Sequence, residues 1–169
     1  MTDANHPTAN DITATDITAN GMTMNVRQAV PFFGVTSMEA SLKFYVDGLG
    51  FKMTNYWIPD RASEHSGAEP DGRIRWCWLE LGRAAIMLQE FWPDHHPESP
   101  LGAGVNICFQ CQDALQLYRE FKARGIEPRQ RPFVGNNMWV VGLTDPDGYR
   151  IEFSSPTDAP EESVLEDRD

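Results

Sequence analysis

The 169-residue chain has few cysteines, few basic residues and no long apolar segment. Its three cysteines, Cys77, Cys108 and Cys111, are too few and too irregularly spaced for a disulfide framework or a structural zinc site. No uninterrupted apolar run approaches the roughly 18 residues of a transmembrane helix. The first residues also lack the basic stretch and apolar core of a secretory signal. We therefore expect a cytoplasmic protein that does not span a membrane.

Basic residues are also scarce, since 14 Lys and Arg face 25 Asp and Glu, giving a formal net charge of -11. This balance argues against nucleic acid as a partner, because phosphate binding requires a basic face. Residues 1–25 and 157–169 together carry -8 of that charge. The acidity therefore indicates solubility more than the chemistry of a ligand site.

The two ends of the chain have the composition of tails. Residues 1–25 are rich in Thr, Asn, Ala and Asp and have little apolar surface to bury, so they are predicted to be flexible. A helical arm within an oligomer is the alternative for this segment. Residues 157–169 are predicted to form an acidic flexible tail. The structured domain is expected at 26–156.

Within 26–156 the apolar pattern predicts the same order of elements twice, a strand, a helix and then three strands. The modules lie at about 26–91 and 103–156. Each helix would cover one face of its sheet and leave the other face open. The predicted fold is α+β, with two βαβββ modules forming a curved sheet or partial barrel around a cavity. The predicted elements are strands at 28–35, 51–58, 73–81, 83–90, 104–111, 127–134, 137–144 and 149–155, and helices at 38–49 and 113–124.

Three segments carry a family resemblance. The segment VTSMEASLKFYVDGLGF at 35–51 resembles the first-module signature of the vicinal oxygen chelate superfamily, which includes glyoxalase I, bleomycin resistance proteins and extradiol dioxygenases. DPDGYRIEF at 145–153 is similar to the second-module signature, and LELGRAAIMLQ at 79–89 to the middle hairpin of the bleomycin resistance-like branch. The resemblance implies the superfamily fold and a homodimer, and it leaves the reaction open.

Metalloenzymes of this superfamily place one ligand on each of four strands, typically His or Gln, Glu, His and Glu. Counted along the motifs, these positions hold Val30, Met87, Asn106 and Glu152 here. Only Glu152 is a ligand of the family type, and one carboxylate beside an amide, a thioether and an alkyl group is a poor divalent site. The resemblance thus implies no metal cofactor. The alternative is a divalent metal at Glu152 with unanticipated ligands such as Gln89 or His95.

The histidines do not replace the missing ligands. His6 falls in the N-terminal tail, His65 in the polar loop 59–72, and His95 and His96 in the loop between the modules. Neighbouring histidines on a loop project differently and rarely bind one ion. We expect exposed loop histidines near the cavity mouth, with Asp94 and either neighbouring histidine as an acid–base pair in the alternative. The three cysteines are expected to be buried, inert thiols on strands.

The remaining residues of the predicted cavity are mostly apolar and aromatic. Flat rings suit stacking on a planar ligand, although each tryptophan can equally serve the core or a dimer interface. Glu152 can accept a charge from the ligand, or be hydrogen-bonded only by Asn106 or Gln89. The candidate ligand-binding residues are Phe32, Trp76, Trp78, Met87, Gln89, Asn106, Cys108, Trp139 and Glu152.

The sequence favours a small-molecule-binding homodimer of the bleomycin resistance type, without a catalytic metal, taking an aromatic or cationic ligand. A metal-dependent lyase, isomerase or dioxygenase of the same superfamily is the alternative. A structural protein with an unused cavity is the third hypothesis. Metal content and binding of an aromatic small molecule separate the three.

Overall fold

The computed structural model describes residues 28–59, 72–97 and 100–166 of the chain. The predicted N-terminal tail at 1–25 and most of the loop with His65 lie outside these ranges. The first module contains the strands β1 to β4 and one helix. α1 continues directly into a single π-helical turn. These elements are β1 (Phe32–Val35), α1 (Met38–Leu42), the π-helical turn (Lys43–Gly48), β2 (Lys52–Trp57), β3 (Trp76–Leu81) and β4 (Ala84–Glu90).

The second module repeats this order and confirms the predicted pair of βαβββ modules. Its second strand, which follows the helix, is shorter than the predicted 127–134, since the observed strand has only three residues. Pro128 and Pro132 explain the difference, because a proline cannot donate a ladder hydrogen bond. The elements are β5 (Asn106–Gln110), α2 (Ala114–Ala123), β6 (Phe133–Gly135), β7 (Met138–Thr144) and β8 (Arg150–Pro156).

Each module forms its own four-stranded mixed sheet. The strand orders are β1-β4-β3-β2 and β5-β8-β7-β6, in which only the first pair of each sheet is parallel. The α+β architecture is confirmed, but the two sheets stay separate and do not close into a barrel. Each sheet has a face that bears the helix and the core, and an opposite face, which we call the open face.

Side-chain caps start both helices. The Ser37 hydroxyl accepts a hydrogen bond from the Ala40 N–H at 3.2 Å, and the Asp113 carboxylate accepts one from the Gln116 N–H at 2.9 Å. Such caps satisfy backbone donors that a helix leaves unpaired at its N-terminus, which is why Ser and Asp favour these positions. Both helix starts follow from the sequence.

A buried ion pair fixes the end of β4 beneath α1. Glu90 accepts a hydrogen bond from the Met38 N–H at 2.9 Å and pairs with Arg75. The Arg75 guanidinium also lies 5.1 Å from the Trp92 ring centroid, within cation–π range. This cluster lies on the helix-covered side of the first sheet, so its charges are structural.

An aromatic core joins the two modules between their helix-covered faces. Tyr45 and Phe51 from the first module are buried, and the Phe51 ring lies 5.8 Å from Phe109 of β5. Phe109 stacks on Phe153 of β8 at 5.2 Å, and Phe153 meets Phe121 of α2 at 5.1 Å. Residues 31–169 thereby pack as one unit.

The turn between β7 and β8 binds the first module through side-chain hydrogen bonds. Asp145 accepts from the Tyr45 hydroxyl at 3.0 Å, and Asp147 accepts from the Thr36 N–H at 3.1 Å. Tyr149 donates its hydroxyl to the Gly34 carbonyl at 3.0 Å. The second-module signature therefore has a structural role here, because its acidic residues connect the modules.

The segment after β8 binds to the edge of the second sheet. We predicted a flexible acidic tail from residue 157, whereas residues 157–166 run beside β6. The Val134 N–H donates to the Ser163 carbonyl at 2.8 Å, and the Glu162 N–H donates to the Val134 carbonyl at 3.0 Å. The Glu161 carboxylate accepts from two N–H groups of the β6–β7 turn. Backbone pairing, which composition does not report, holds this segment.

Candidate functional site

The open face of the first sheet is aromatic. Strand pairing places Trp78 of β3 opposite Met87 of β4, which in turn lies opposite Phe32 of β1. Trp76 and Gln89 form the next row. Residues directly opposite each other in a ladder point to the same face, so the five predicted residues of this module share one surface.

Trp57 extends this surface to the edge strand. It pairs with Trp76 across β2 and β3, so both indole rings belong to the open face. Trp57 is 47% exposed and Phe32 57% exposed, whereas Trp76 and Trp78 are half-buried. The Trp78 indole donates a hydrogen bond to Glu80 at 2.8 Å. An aromatic wall of this kind suits a flat ligand or a second protein surface.

Gly34 leaves room on the same face for an aromatic ring from the loop after β4. A Cβ at Gly34 would lie only 2.2 Å from the tip of the Phe91 ring. The absence of a side chain at Gly34 therefore allows Phe91 to pack flat on β1. Phe91 also contacts the His96 ring, with 6.0 Å between centroids.

The open face of the second sheet carries the predicted polar residues. Cys108 of β5 lies opposite Glu152 of β8, and the Asn106 amide donates a hydrogen bond to the Glu152 carboxylate at 2.8 Å. Of the two hydrogen-bond partners considered for Glu152, the structure thus has Asn106, whereas Gln89 lies on the first sheet. A cavity of about 410 Å³ lies against this face and is lined by Cys108, Gln110, Phe133, Met138, Glu152 and Ser154, among others.

Cys108 lies on this face and is exposed, so the prediction of a buried thiol is wrong for Cys108, whereas Cys77 is buried as predicted. Partial burial raises the pKa of the Cys108 thiol, and the nearby Glu152 charge raises it further. Both effects disfavour the thiolate, which is the nucleophilic form.

Trp139 does not lie on the ligand-facing wall where we predicted it. It pairs with Ser155 of β8 and Val134 of β6, and its ring packs against the core on the helix-covered face. Adjacent strand residues point to opposite faces, so Trp139 faces away from Glu152. Its large apolar side chain stabilises the core and is removed from the candidate site.

The structure adds Arg129 to the second open face. Its backbone N–H donates to the Gly142 carbonyl at 2.9 Å. A Cβ at Gly142 would lie 2.7 Å from the Arg129 Nη2 atom, so the guanidinium covers this glycine. Gly142 pairs with Glu152 and so shares its face. A glycine within a strand is a signal of close approach by another group, but the sequence does not say which group approaches.

The donor set does not fit a divalent metal. Of the predicted ligand positions, Met87 lies on the first open face, whereas Asn106 and Glu152 are already hydrogen-bonded to each other on the second. His95 and His96 are exposed loop residues. In the part of the chain that the structure describes, no three His, Cys, Asp or Glu residues group closely enough to hold a metal ion.

Another cavity, of about 600 Å³, lies beside α1 on the helix-covered side of the first module. Its apolar lining comes from Met38, Leu42, Val46, Met53 and Ile74. It contains none of the predicted ligand-binding residues and neither of the two open faces.

Over residues 28–59, 72–97 and 100–166, no helix is long and apolar enough to cross a membrane.

The family follows from comparison with known sequences. Residues 27–153 match the profile of the Glyoxalase/Bleomycin resistance protein/Dioxygenase superfamily. This match covers most of the chain, and the chain belongs to that superfamily. The resemblance identified from the two module signatures is thereby confirmed.

Individual relatives differ in what their names describe. The chain is 27% identical over 141 residues to a lactoylglutathione lyase from Pseudomonas putida, covering 73% of this chain and 81% of that protein. It is similar in fold to a bleomycin-binding protein complexed with bleomycin, with a TM-score of 0.54, 22% identity, and coverage of 77% and 98%. TnmS3, an antibiotic binding protein from Streptomyces sp. CB03234, has a TM-score of 0.55, 20% identity, and coverage of 79% and 99%. These likenesses establish the fold.

Proposed function

We propose that this protein is a homodimer that binds an aromatic small molecule without a metal cofactor. The observation that carries the proposal is the residue set at the superfamily's ligand positions, where only Glu152 has a family-type donor. Asn106 occupies one Glu152 oxygen through a 2.8 Å hydrogen bond. Hard and borderline divalent ions require several carboxylate or imidazole ligands. In this proposal the side chains at the superfamily's metal-ligand positions contact the bound small molecule instead.

The aromatic open face of the first sheet supplies the stacking surface. Trp57, Trp76 and Trp78 present indole rings on one side of two neighbouring strands. Offset stacking on such rings contributes about 0.5–1.5 kcal/mol per contact beyond the burial of apolar area. A planar ligand that covers two of these rings thus gains most of its affinity from this sheet.

A two-fold homodimer brings the aromatic and polar faces together. The hydrogen bonds and ring contacts between the modules of one chain involve the core, the helices and the 145–148 turn. Both open faces stay partly exposed in a single chain. In the proposed dimer the first sheet of one protomer faces the second sheet of its partner, and the ligand lies between them.

Sedimentation velocity tests the assembly at micromolar concentration. We expect a species of twice the 19.1 kDa chain mass. Isologous dimers are the commonest soluble oligomers, and they commonly cover exposed sheet faces. A single species of chain mass over the whole concentration range contradicts the shared site.

Binding is tested with three probes that share a naphthalene ring and carry a neutral, an anionic or a cationic substituent: 2-naphthamide, 2-naphthoate and 2-naphthylmethylammonium. Quenching of tryptophan fluorescence should report binding of the neutral amide. Trp57→Ala should weaken this binding about 10-fold, as expected for the loss of an aromatic contact and its buried area.

Tyr56→Ala is the matched control, since Tyr56 is the next residue on β2, is 55% exposed, and faces the opposite side of the sheet. The Tyr56→Ala variant should bind 2-naphthamide with the same affinity as the unchanged protein. Equal losses for Trp57→Ala and Tyr56→Ala, or no binding of 2-naphthamide, would count against the aromatic site.

Glu152 would recognise a donor or a positive charge on the ligand. Glu152→Gln keeps the side-chain shape and removes the charge, so binding of 2-naphthylmethylammonium should weaken by about 10-fold while 2-naphthamide is little affected. Equal losses for both probes mean that Glu152 only shapes the cavity.

A metal-dependent lyase is the second candidate, favoured by the 27% identity to a lactoylglutathione lyase. Elemental analysis of protein purified without chelators separates the two candidates. Stoichiometric Mn, Ni, Zn or Fe, together with lyase activity on lactoylglutathione, establishes the second. Three free cysteines, Cys77, Cys108 and Cys111, support a reducing cytoplasmic setting for either function.

A further inference from the structure

Arg129 occupies a defined place on the second open face although it lies outside any strand or helix. It belongs to the segment between α2 and β6, and its N–H donates to the Gly142 carbonyl at 2.9 Å. This bond ties the Arg129 backbone to the edge of β7. The side chain then folds over Gly142, with Nη2, Nε and Cζ at 2.7, 3.2 and 3.3 Å from the position of a Cβ.

The guanidinium and the Glu152 carboxylate share this face but do not form an ion pair. Gly142 and Glu152 are directly opposite across β7 and β8, where Cβ positions lie about 4.5–5.5 Å apart. The carboxylate instead engages Asn106 of β5, on the side of β8 away from Arg129. The Arg129 guanidinium thus lies over β7, while the Glu152 carboxylate of β8 is turned towards β5.

Among the described residues, the Arg129 guanidinium has neither a hydrogen bond nor an ion pair. Its five N–H donors form a rigid fork that matches the geometry of a carboxylate. The cavity lined in part by Glu152 lies on the same face. A charged fork held at the edge of this face is suited to an anionic group of a molecule that binds in the cavity.

We infer that Arg129 is a specificity-determining residue that binds an anionic group, such as a carboxylate, on the aromatic ligand. This inference rests on the proposed binding function and narrows the ligand class. An aromatic carboxylate would place its charge over β7 and leave Glu152 available for a donor near β5. Aromatic compounds that are only cationic would then bind more weakly than those that also carry an anion.

Arg150 is another basic residue on this face. It lies two positions before Glu152 on β8, opposite Asn106 and Thr144, and is exposed. In contrast to Arg129, no glycine brings its side chain down onto the sheet. Arg150→Gln therefore tests whether the loss of a different positive charge from this face also weakens the binding of an anionic probe.

The experiment compares 2-naphthoate with 2-naphthamide on the full-length protein. The unchanged protein should bind 2-naphthoate about 10-fold more tightly, the preference that one charge-assisted contact supplies. Arg129→Gln should abolish this preference and leave 2-naphthamide affinity as it was. Gly142→Ala keeps the charge but displaces the guanidinium, and should also reduce the preference.

Arg119→Gln is the matched control, because Arg119 is an exposed residue of α2, on the other side of the sheet. It removes one positive charge and should leave the preference intact. Equal effects of the Arg119, Arg129 and Arg150 variants would reduce the preference to general electrostatics and overturn the inference. Equal binding of both probes to the unchanged protein overturns it as well, while leaving the proposed function standing.

A second measurement separates failure of this inference from failure of the proposed function. Titration with benzoate should shift the Arg129 Nε–Hε resonance in proton–nitrogen spectra, whatever the affinity for naphthalene probes. A shift with no 2-naphthamide binding supports the Arg129 site and contradicts the proposed aromatic surface. No shift up to tens of millimolar benzoate overturns the Arg129 assignment.

Discussion

The hydrogen bond between Tyr45 and Asp145 joins the two modules and should contribute strongly to the free energy of unfolding. Tyr45 is fully buried, and its hydroxyl donates to the Asp145 carboxylate at 3.0 Å. Tyr45→Phe removes this donor and leaves a buried carboxylate oxygen of Asp145 without the Tyr45 hydrogen bond. Hydrogen bonds to charged groups are worth about 1.5–3 kcal/mol. We expect the free energy of unfolding to fall by that amount.

The corresponding change in melting temperature follows from the size of the folded unit. Residues 31–169 form this unit, and unfolding entropies of about 2.1 cal/mol/K per residue give roughly 0.3 kcal/mol/K for it. A loss of about 1.5–3 kcal/mol then lowers Tm by roughly 5–10 °C. Differential scanning calorimetry at pH 7 measures this shift directly.

The destabilisation caused by Tyr45→Phe should increase as the pH rises. Burial raises the pKa of Asp145 above its ordinary value, and the hydrogen bond from Tyr45 opposes that rise. A raised pKa in the folded state gives stability that is present below the unfolded value and is lost as pH rises through the folded value. Because Tyr45→Phe raises the pKa of Asp145 further, its destabilisation should be larger at pH 7 than at pH 4.

Tyr56→Phe provides the control for the loss of a phenolic hydroxyl, because Tyr56 is 55% exposed on the edge strand. It should change Tm by no more than about 1–2 °C, as for most surface substitutions. The reasoning about Tyr45 is refuted if Tyr45→Phe destabilises no more than this control. It is also refuted if the loss is the same at pH 4 and pH 7.

Three further perturbations have expected outcomes. Gly34→Ala should lower Tm and alter the fluorescence of the open face, because the new Cβ would lie 2.2 Å from the Phe91 ring; an unchanged Tm would show that the ring moves freely. Deletion of 157–169 should cost about 2 kcal/mol or more in urea unfolding, since backbone hydrogen bonds to the β6 edge are lost; unchanged stability would mean that this segment binds without net gain. Glu152→Gln should keep Tm within about 2 °C, because the Asn106 amide can still donate to the new side-chain carbonyl; a large fall would assign the carboxylate a role in folding.

The order of elements and the helix boundaries follow from local chemistry. The Ser37 and Asp113 side chains cap the two helices in the structure, since each needs only an N–H three residues ahead. Alternation also assigned Met87 and Glu152 to the open sides of their strands, because successive strand residues point to opposite faces, but the two residues lie on separate sheets and not on one cavity wall. These are short-range properties, which a sequence carries directly.

The faces of β7 were harder to assign, because both are apolar. Trp139 and Val140 are neighbours that point to opposite sides, and only the position of α2 decides which side is the core. Trp139 was therefore placed on the wrong face. The choice depends on packing between elements that are distant in the chain.

Arg129 and the C-terminal segment depended entirely on tertiary structure. The apolar pattern predicted a strand at 127–134, whereas Arg129 lies outside any strand and its N–H bonds to the Gly142 carbonyl of β7. The acidic composition of residues 157–166 predicted a tail, yet backbone groups pair this segment with β6. Backbone hydrogen bonds do not depend on side-chain identity, so composition cannot reveal them. The sequence by itself determined the family, the two modules and the residue types at the superfamily's ligand positions, while the position of Arg129 beside Glu152 on the second open face arose only when distant segments met.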